Sequence, residues 1–259
     1  MNLRVSLCQT EAAWRDPIGN LRRAEPLVAA AAADLVVLPE LFATGFDVAA
    51  AAVEPEGGPV ADALRGWALR YGRAIAGSVA VREADGTLRN RMYFVRPSGE
   101  TEWYDKRHLF RPGGEAAAYA PGSERRVVHY RGWRLLGFRF LLQICYDLRF
   151  PVWSRCRGDY DAIVCCAAWP APRRAAWRTL VRARAIENQC YVAAVNRAGA
   201  DPGIVYAGDS ALVDFRGEAT VEAGCGVQTL TATWDREALE AFRARFPAWR
   251  DADGFRLEE

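Results

Sequence analysis

Short, wholly apolar runs alternate with amphipathic stretches along this chain, and that alternation limits the folds open to it. "DLVVLPEL" (34–41) and "YDAIVCCAAW" (160–169) read as short buried strands. "IGNLRRAEPLVAAAAA" (18–33) is helix-like despite Pro26, "PVADALRGWALRYG" (59–72) is a second helical segment, and "RRAAWRTLVRARAIENQ" (173–189) is a long amphipathic helix. "LRVSLCQT" (3–10), "AIAGSVAVRE" (74–83), "LRNRMYFVRPSG" (88–99), "TEWYDKRHLF" (101–110), "WRLLGFRFLLQI" (133–144) and "CYVAAVNRAG" (190–199) are strand-like. "ADGT" (84–87) predicts a hairpin, "SALVDFRGEATVEA" (210–223) another around "FRGE", and "FPVWSRCRG" (150–158) a short helix. "RPGGEAAAYAPG" (111–122) predicts a Gly- and Pro-containing loop. Strands interspersed with helices throughout favour a layered α/β sandwich, and no linker or repeat divides residues 1–259 into more than one domain.

The totals exclude several classes of function. A formal charge of +2 with 51% hydrophobic residues suits neither disorder nor a polyanionic partner, so nucleic acid is not the expected substrate. The start "MNLRVSLCQTEAAWRD" lacks the apolar core of a secretion signal, and "LVAAAAADLVVL" is broken by Asp34 well short of a membrane span. The expectation is a soluble cytoplasmic protein with no membrane partner. Seven cysteines without a C-x-x-C pattern read as reduced thiols, mostly in the core. Cys165 and Cys166 lie inside an apolar strand without neighbouring ligands, so no metal is expected there.

Three reactive side chains stand where a predicted strand ends and a loop begins, the place where α/β proteins collect functional groups. They are Glu40 in "VVLPELF", Lys106 in "WYDKRHLF" and Cys145 in "LLQICYDLRFP". Glu40 reads either as a proton acceptor at the rim of a sheet or as a glutamate at a solvated helix start. Lys106 reads as a cation for a thiolate or oxyanion, or as a surface charge. Cys145 reads as a small buried hydrophobe or as a thiol that a strand-to-helix turn exposes beside backbone N–H groups. With only two histidines, His108 and His129, a general base for that thiol has to come from elsewhere.

"LPELFATGF", "YDKRHLF" and "QICYDLRFPVWSR" together resemble the three motifs of the nitrilase superfamily of carbon–nitrogen hydrolases, in the same order and spacing. "AAWPAPRRAAWRTLVRARAIENQCYVAAVNRAG", "GDSALVDFRGE" and "FPAWRDAD" extend the resemblance over nearly the whole chain and look most like the omega-amidase branch. The resemblance implies a four-layer α-β-β-α sandwich that assembles as a homodimer or larger homo-oligomer. It also implies a Glu-Lys-Cys triad carried by Glu40, Lys106 and Cys145, with no cofactor. The implied substrate is the terminal amide of a short 2-oxo dicarboxylic acid monoamide, attacked with water as the second reactant. The same triad serves other linear amides, carbamoyl amines and nitriles, and a non-catalytic scaffold is the alternative from another class.

By the same resemblance Glu115 matches a second glutamate that lines the family's pocket, here followed by Ala116, Ala117 and Ala118. Tyr119 reaches toward the site from the Glu115 loop, and the backbone N–H of Tyr146 joins Lys106 around the oxyanion. Arg149 pairs either with a substrate carboxylate or, as a structural ion pair, with Asp147 or another acid. Trp169 and Pro170 close a strand on the same rim and wall the pocket, or simply pack. Arg182 and Arg184, at helical spacing, are expected in helix packing or an internal ion pair.

Overall fold

The computed structural model describes residues 2–49, 51–130 and 137–257. Two mixed sheets pack face to face with helices on their outer sides, a four-layer α-β-β-α sandwich. The first sheet runs in the order Gln228–Asp235, Asn2–Gln9, Leu35–Val37, Ala74–Arg82, Leu88–Val95, Thr101–Asp105. The second runs Ala219–Glu222, Ala211–Val213, Tyr191–Asn196, Ala162–Ala167, Phe138–Ile144, Val127–Tyr130. In each, three neighbouring strands along this order are parallel and those beyond them antiparallel, and in the first sheet the short strand Glu54–Pro55 also pairs parallel to Ala74–Arg82.

Parallel strands covered on both faces have no solvent side, which is why "LVV" and "AIVCCA" are apolar at every position. Side chains alternate across the first sheet. Val5, Leu7, Leu35 and Val37 enter the core between the sheets, while Cys8, Val36 and Leu38 pack toward the helices Pro17–Ala30 and Pro59–Tyr71. The helix Arg174–Asn188 buries Trp177, Val181 and Ala185 at helical spacing and covers the second sheet. Pro26 sits inside the first helix at an exposed position, where the ladder bond it removes is lost on the solvent side.

The pattern departs from expectation in three places. The loop at 111–122 contains one turn of helix, Glu115–Ala118. Of the predicted strand stretch 133–144, residues 133–136 lie outside the described residues, and the remainder forms Phe138–Ile144 beside Val127–Tyr130. A C-terminal strand, Gln228–Asp235, pairs with Asn2–Gln9 and leads into the helix Arg236–Arg245, whose N–H groups at Glu237 and Ala238 donate to the Asp235 side chain. Among the described residues no helix is long and apolar enough to cross a membrane.

This topology gathers three strand ends. Glu40 follows Leu35–Val37, Lys106 follows Thr101–Asp105, and Cys145 follows Phe138–Ile144, so the first sheet supplies two side chains and the second supplies the third.

Candidate active site

Cys145 opens a 3-10 turn, Cys145–Arg149, with a φ of 47°, a left-handed conformation that a side chain rarely adopts. Asp147 holds the turn in place. Its Oδ2 accepts the Ile144 N–H at 2.9 Å and the Tyr104 hydroxyl at 2.8 Å. Its Oδ1 accepts the His108 N–H at 3.0 Å and lies 2.8 Å from His108 Nδ1. One buried carboxylate thus fastens the Cys145 turn to the segment that carries Lys106. The turn does not expose the thiol as expected, because Cys145 is only 7% exposed. Burial pushes the thiol well above its usual range and the neighbouring Glu40 carboxylate pushes it further, while Lys106 acts in the opposite direction.

Glu40 is fully buried, which excludes the solvated helix start. Its Oε1 accepts from Lys106 Nζ at 2.7 Å and from Asn90 Nδ2 at 2.8 Å, and its Oε2 accepts the Ala168 N–H at 2.8 Å. The next residue, Leu41, has a φ of 46° and donates its N–H to Ser78 Oγ. Lys106 is likewise buried and is no surface charge. Its ammonium contacts both oxygens of Glu115, at 2.8 and 3.0 Å. Burial alone would lower the lysine pKa, but Glu115 and then Glu40 outweigh it and hold the ammonium charged.

A cavity of about 290 Å³ adjoins this cluster, walled by the rings of Phe46, Phe110, Tyr146, Trp169 and Tyr206, with Cys145 and Lys106 on its lining. Its volume is at the lower end for small-molecule sites. Trp169 and Pro170 wall it as expected. Glu115 stands behind Lys106, outside the lining, and accepts the Phe110 N–H at 2.6 Å. Ala116 and Ala118 pack against Leu41, Ala80, Leu109 and Tyr119 instead of facing the cavity. Tyr119 is buried outside the lining, its hydroxyl donating to the Asp47 carbonyl at 3.3 Å.

The ion pair expected between Arg149 and Asp147 does not form. Asp147 points inward to Tyr104 and His108, while the Arg149 guanidinium lies 4.8 Å from the Trp169 ring on the cavity wall. Arg184 makes the internal pair with Glu187 at 2.7 Å and donates to the Leu148 carbonyl, and Arg182 reaches Glu222. Cys165 and Cys166 are buried, and no group of three metal-ligating side chains occurs among the described residues.

Sequence reasoning passed over two contributors. Asn90 bridges Glu40 and Glu115, donating at 2.8 and 2.9 Å; a lone amide in the run "RNRMYF" was the available signal. The hairpin Ala198–Asp201 and Ile204–Ala207 brings Gly203 to Tyr206 onto the cavity. Asp201 anchors it, accepting from Arg197, from the Tyr206 hydroxyl at 2.9 Å and from the Phe46 N–H at 3.0 Å.

Comparison with known proteins follows the same outline. Residues 4–244 match the carbon–nitrogen hydrolase family model. The chain is 46% identical to omega-amidase YafV of Yersinia enterocolitica, over 98% of each chain. It is 34% identical to 2-oxoglutaramate amidase of Bacillus subtilis, over 97% of this chain and 98% of that one. Among solved structures, XC1258 of Xanthomonas campestris, a CN-hydrolase superfamily protein with an arsenic adduct in its active site, superposes with a TM-score of 0.95 at 45% identity, covering all of both chains.

Proposed function

This chain belongs to the carbon–nitrogen hydrolase family, and we propose that it is an omega-amidase that releases ammonia from the terminal amide of a short 2-oxo dicarboxylic acid monoamide, of the 2-oxoglutaramate or 2-oxosuccinamate type. The observation that carries this reading is the cavity itself: it has Cys145 and Lys106 on its wall, no acidic side chain among its lining residues, and the Arg149 guanidinium available to a substrate carboxylate. A nitrile or a neutral amide offers nothing to that cation.

Cys145 attacks the amide carbon while Glu40 takes the thiol proton, and the carbonyl electrons move onto the oxygen. Lys106 and the Tyr146 N–H hold that oxyanion; losing one such donor typically costs about 3 to 4 kcal/mol of transition-state stabilisation. Glu40 returns its proton to the nitrogen, the C–N bond breaks, and ammonia leaves a thioester on sulfur. Glu40 then takes a proton from water as the oxygen attacks the thioester, and the thiol leaves reprotonated with the acid released. The raised thiol pKa fits this order, since the proton leaves sulfur only as the new bond forms. Asn90 and the Ala168 N–H fix the Glu40 carboxylate, and Glu115 balances the lysine.

Residues 1–259 work as one catalytic domain, supported by the two sheets contributing jointly to one site. The protein acts in the cytoplasm, a reading supported by seven free cysteines. It assembles as a homodimer or larger oligomer, supported by the exposed apolar side chains of Val152 and Leu257, which share one surface pocket.

The test is ammonia release from 2-oxoglutaramate, 2-oxosuccinamate, glutamine, asparagine and an aliphatic nitrile, comparing the native protein with Cys145→Ala. Release confined to the 2-oxo amides and abolished in the variant supports the reading. Equal release from glutamine, or from the nitrile, overturns the substrate class.

A further inference from the structure

Arg173, at the entry to the helix Arg174–Asn188, lines the same cavity as Cys145. It is exposed, and its guanidinium lies 5.0 Å from the Phe110 ring centre. Its two neighbours on the helix are spoken for: Arg174 and Arg178 both pair with Asp209, at 2.8 and 2.7 Å. Arg173 has no such carboxylate among the described residues, and none of the cavity's lining residues is acidic. Arg149 and Arg173 therefore present to the cavity two cations that no carboxylate on its wall neutralises.

The side chain is also held ready. Stacking on an aromatic face fixes a guanidinium plane without consuming its N–H donors, so less freedom is lost when an anion arrives. The platform is anchored in turn, because Phe110 donates its N–H to Glu115, the partner of Lys106, and packs edge-on against Tyr146 at 5.2 Å. From the other side Trp169, whose face carries Arg149, donates its Nε1–H to the Arg173 carbonyl at 2.9 Å. The main chain of Arg173 is thus tied to one aromatic wall and its side chain to another.

We propose that Arg173 is a specificity-determining residue: it recognises the carboxylate of the substrate and selects anionic over neutral linear amides. This rests on the amidase reading above and adds the residue that chooses among amides. Arg149 and Arg173 then supply guanidinium donors from two segments of the wall, and a carboxylate of a four- or five-carbon acid is small enough for the cavity to hold with its amide at Cys145.

The experiment measures kcat and KM for 2-oxoglutaramate and for a neutral amide of similar length in the native protein, Arg173→Gln, Arg173→Lys and Arg174→Gln. Arg173→Gln is expected to lower the ratio of kcat/KM for acid over neutral amide by about ten- to a hundredfold, mostly through KM, as loss of a charge-assisted contact does. Arg173→Lys restores part of the ratio and Arg174→Gln leaves the ratio unaltered. A ratio that does not move in Arg173→Gln, or that moves equally in Arg174→Gln, overturns the proposal. Calorimetric titration of 2-oxoglutarate into Cys145→Ala and Cys145→Ala/Arg173→Gln separates this from the amidase reading: weaker binding in the double variant upholds Arg173 even where the native protein hydrolyses no 2-oxo amide, and equal binding in both overturns it.

Discussion

Lys106 Nζ stands 2.7 Å from Glu40 Oε1, and neither side chain has any exposed surface. With Glu115 on its other side at 2.8 Å, the ammonium is shared between two buried carboxylates. Such a cluster stabilises the fold only while complete, since each charge is desolvated and depends on the others. It also leaves Glu40 fixed in position by contacts that do not involve the thiol.

Removing the cation therefore has two effects. Lys106→Gln leaves Glu40 and Glu115 buried without their neutralising partner, and a loss of about 3 to 5 kcal/mol in unfolding free energy is expected from denaturant titration. Ammonia release falls by at least about a hundredfold. Lys106→Arg, planar and larger, is expected to restore little of the activity.

Glu40→Gln separates the acidity of the thiol from its reactivity. The Glu40 carboxylate raises the Cys145 pKa, so removing its charge lowers that pKa, and thiolate absorbance near 240 nm appears at lower pH than in the native protein. Amide hydrolysis nonetheless collapses, because the proton acceptor is gone. A variant that gained both thiolate and turnover would remove Glu40 from the mechanism.

Asp147→Asn tests the fastening of the turn. An amide that still accepts from Ile144 and Tyr104 points its NH2 group at the His108 N–H, setting donor against donor. The expected cost is about 1 to 3 kcal/mol of stability, with kcat lowered by about ten- to a hundredfold and KM nearly constant. Tracking alkylation of Cys145 by mass spectrometry tells a displaced thiol from a globally unfolded chain.

Stability should fall on the alkaline side. Burial raises the Cys8 thiol from 9.0 to about 12, so above pH 9 the unfolded chain gives up this proton while the folded chain keeps it. The contribution is whole below pH 9 and is lost as pH rises toward 12, at about 1.4 kcal/mol per pH unit for one such group. Cys145, Cys165, Cys166 and Cys190 shift in the same direction, so the native slope is steeper than that of one thiol. Thermal melts from pH 7 to 11 check this, and Cys8→Ala is expected to flatten the decline.

Where the sequence could be read, the reason is local. "LVV" and "AIVCCA" announce themselves because both faces are covered, and Trp177, Val181 and Ala185 because one helix face meets a sheet. Gln228–Asp235 carries a weaker signal: three threonines face solvent, Leu230 and Ala232 are only half-buried on the inner face, and only Trp234 is buried. At the site, the strand-end positions of Glu40, Lys106 and Cys145 were legible, but their contacts span separations that no local pattern encodes. Arg149 illustrates the limit. Two residues from Asp147 in sequence, it turns to Trp169 because the 3-10 turn directs the carboxylate inward. Arg173 could not be told from Arg174 until Asp209 was seen to claim one and not the other.

The division of the cluster between two sheets has a bearing on the life of the chain. The sheet that holds Glu40 and Lys106 takes its outermost strand, Gln228–Asp235, from near the other end of the polypeptide, while Cys145 belongs to the opposite sheet. A nascent or partly unravelled molecule therefore carries an ordinary thiol with no base beside it. Hydrolytic power belongs to the assembled sandwich alone, since neither sheet by itself carries both the thiol and its base.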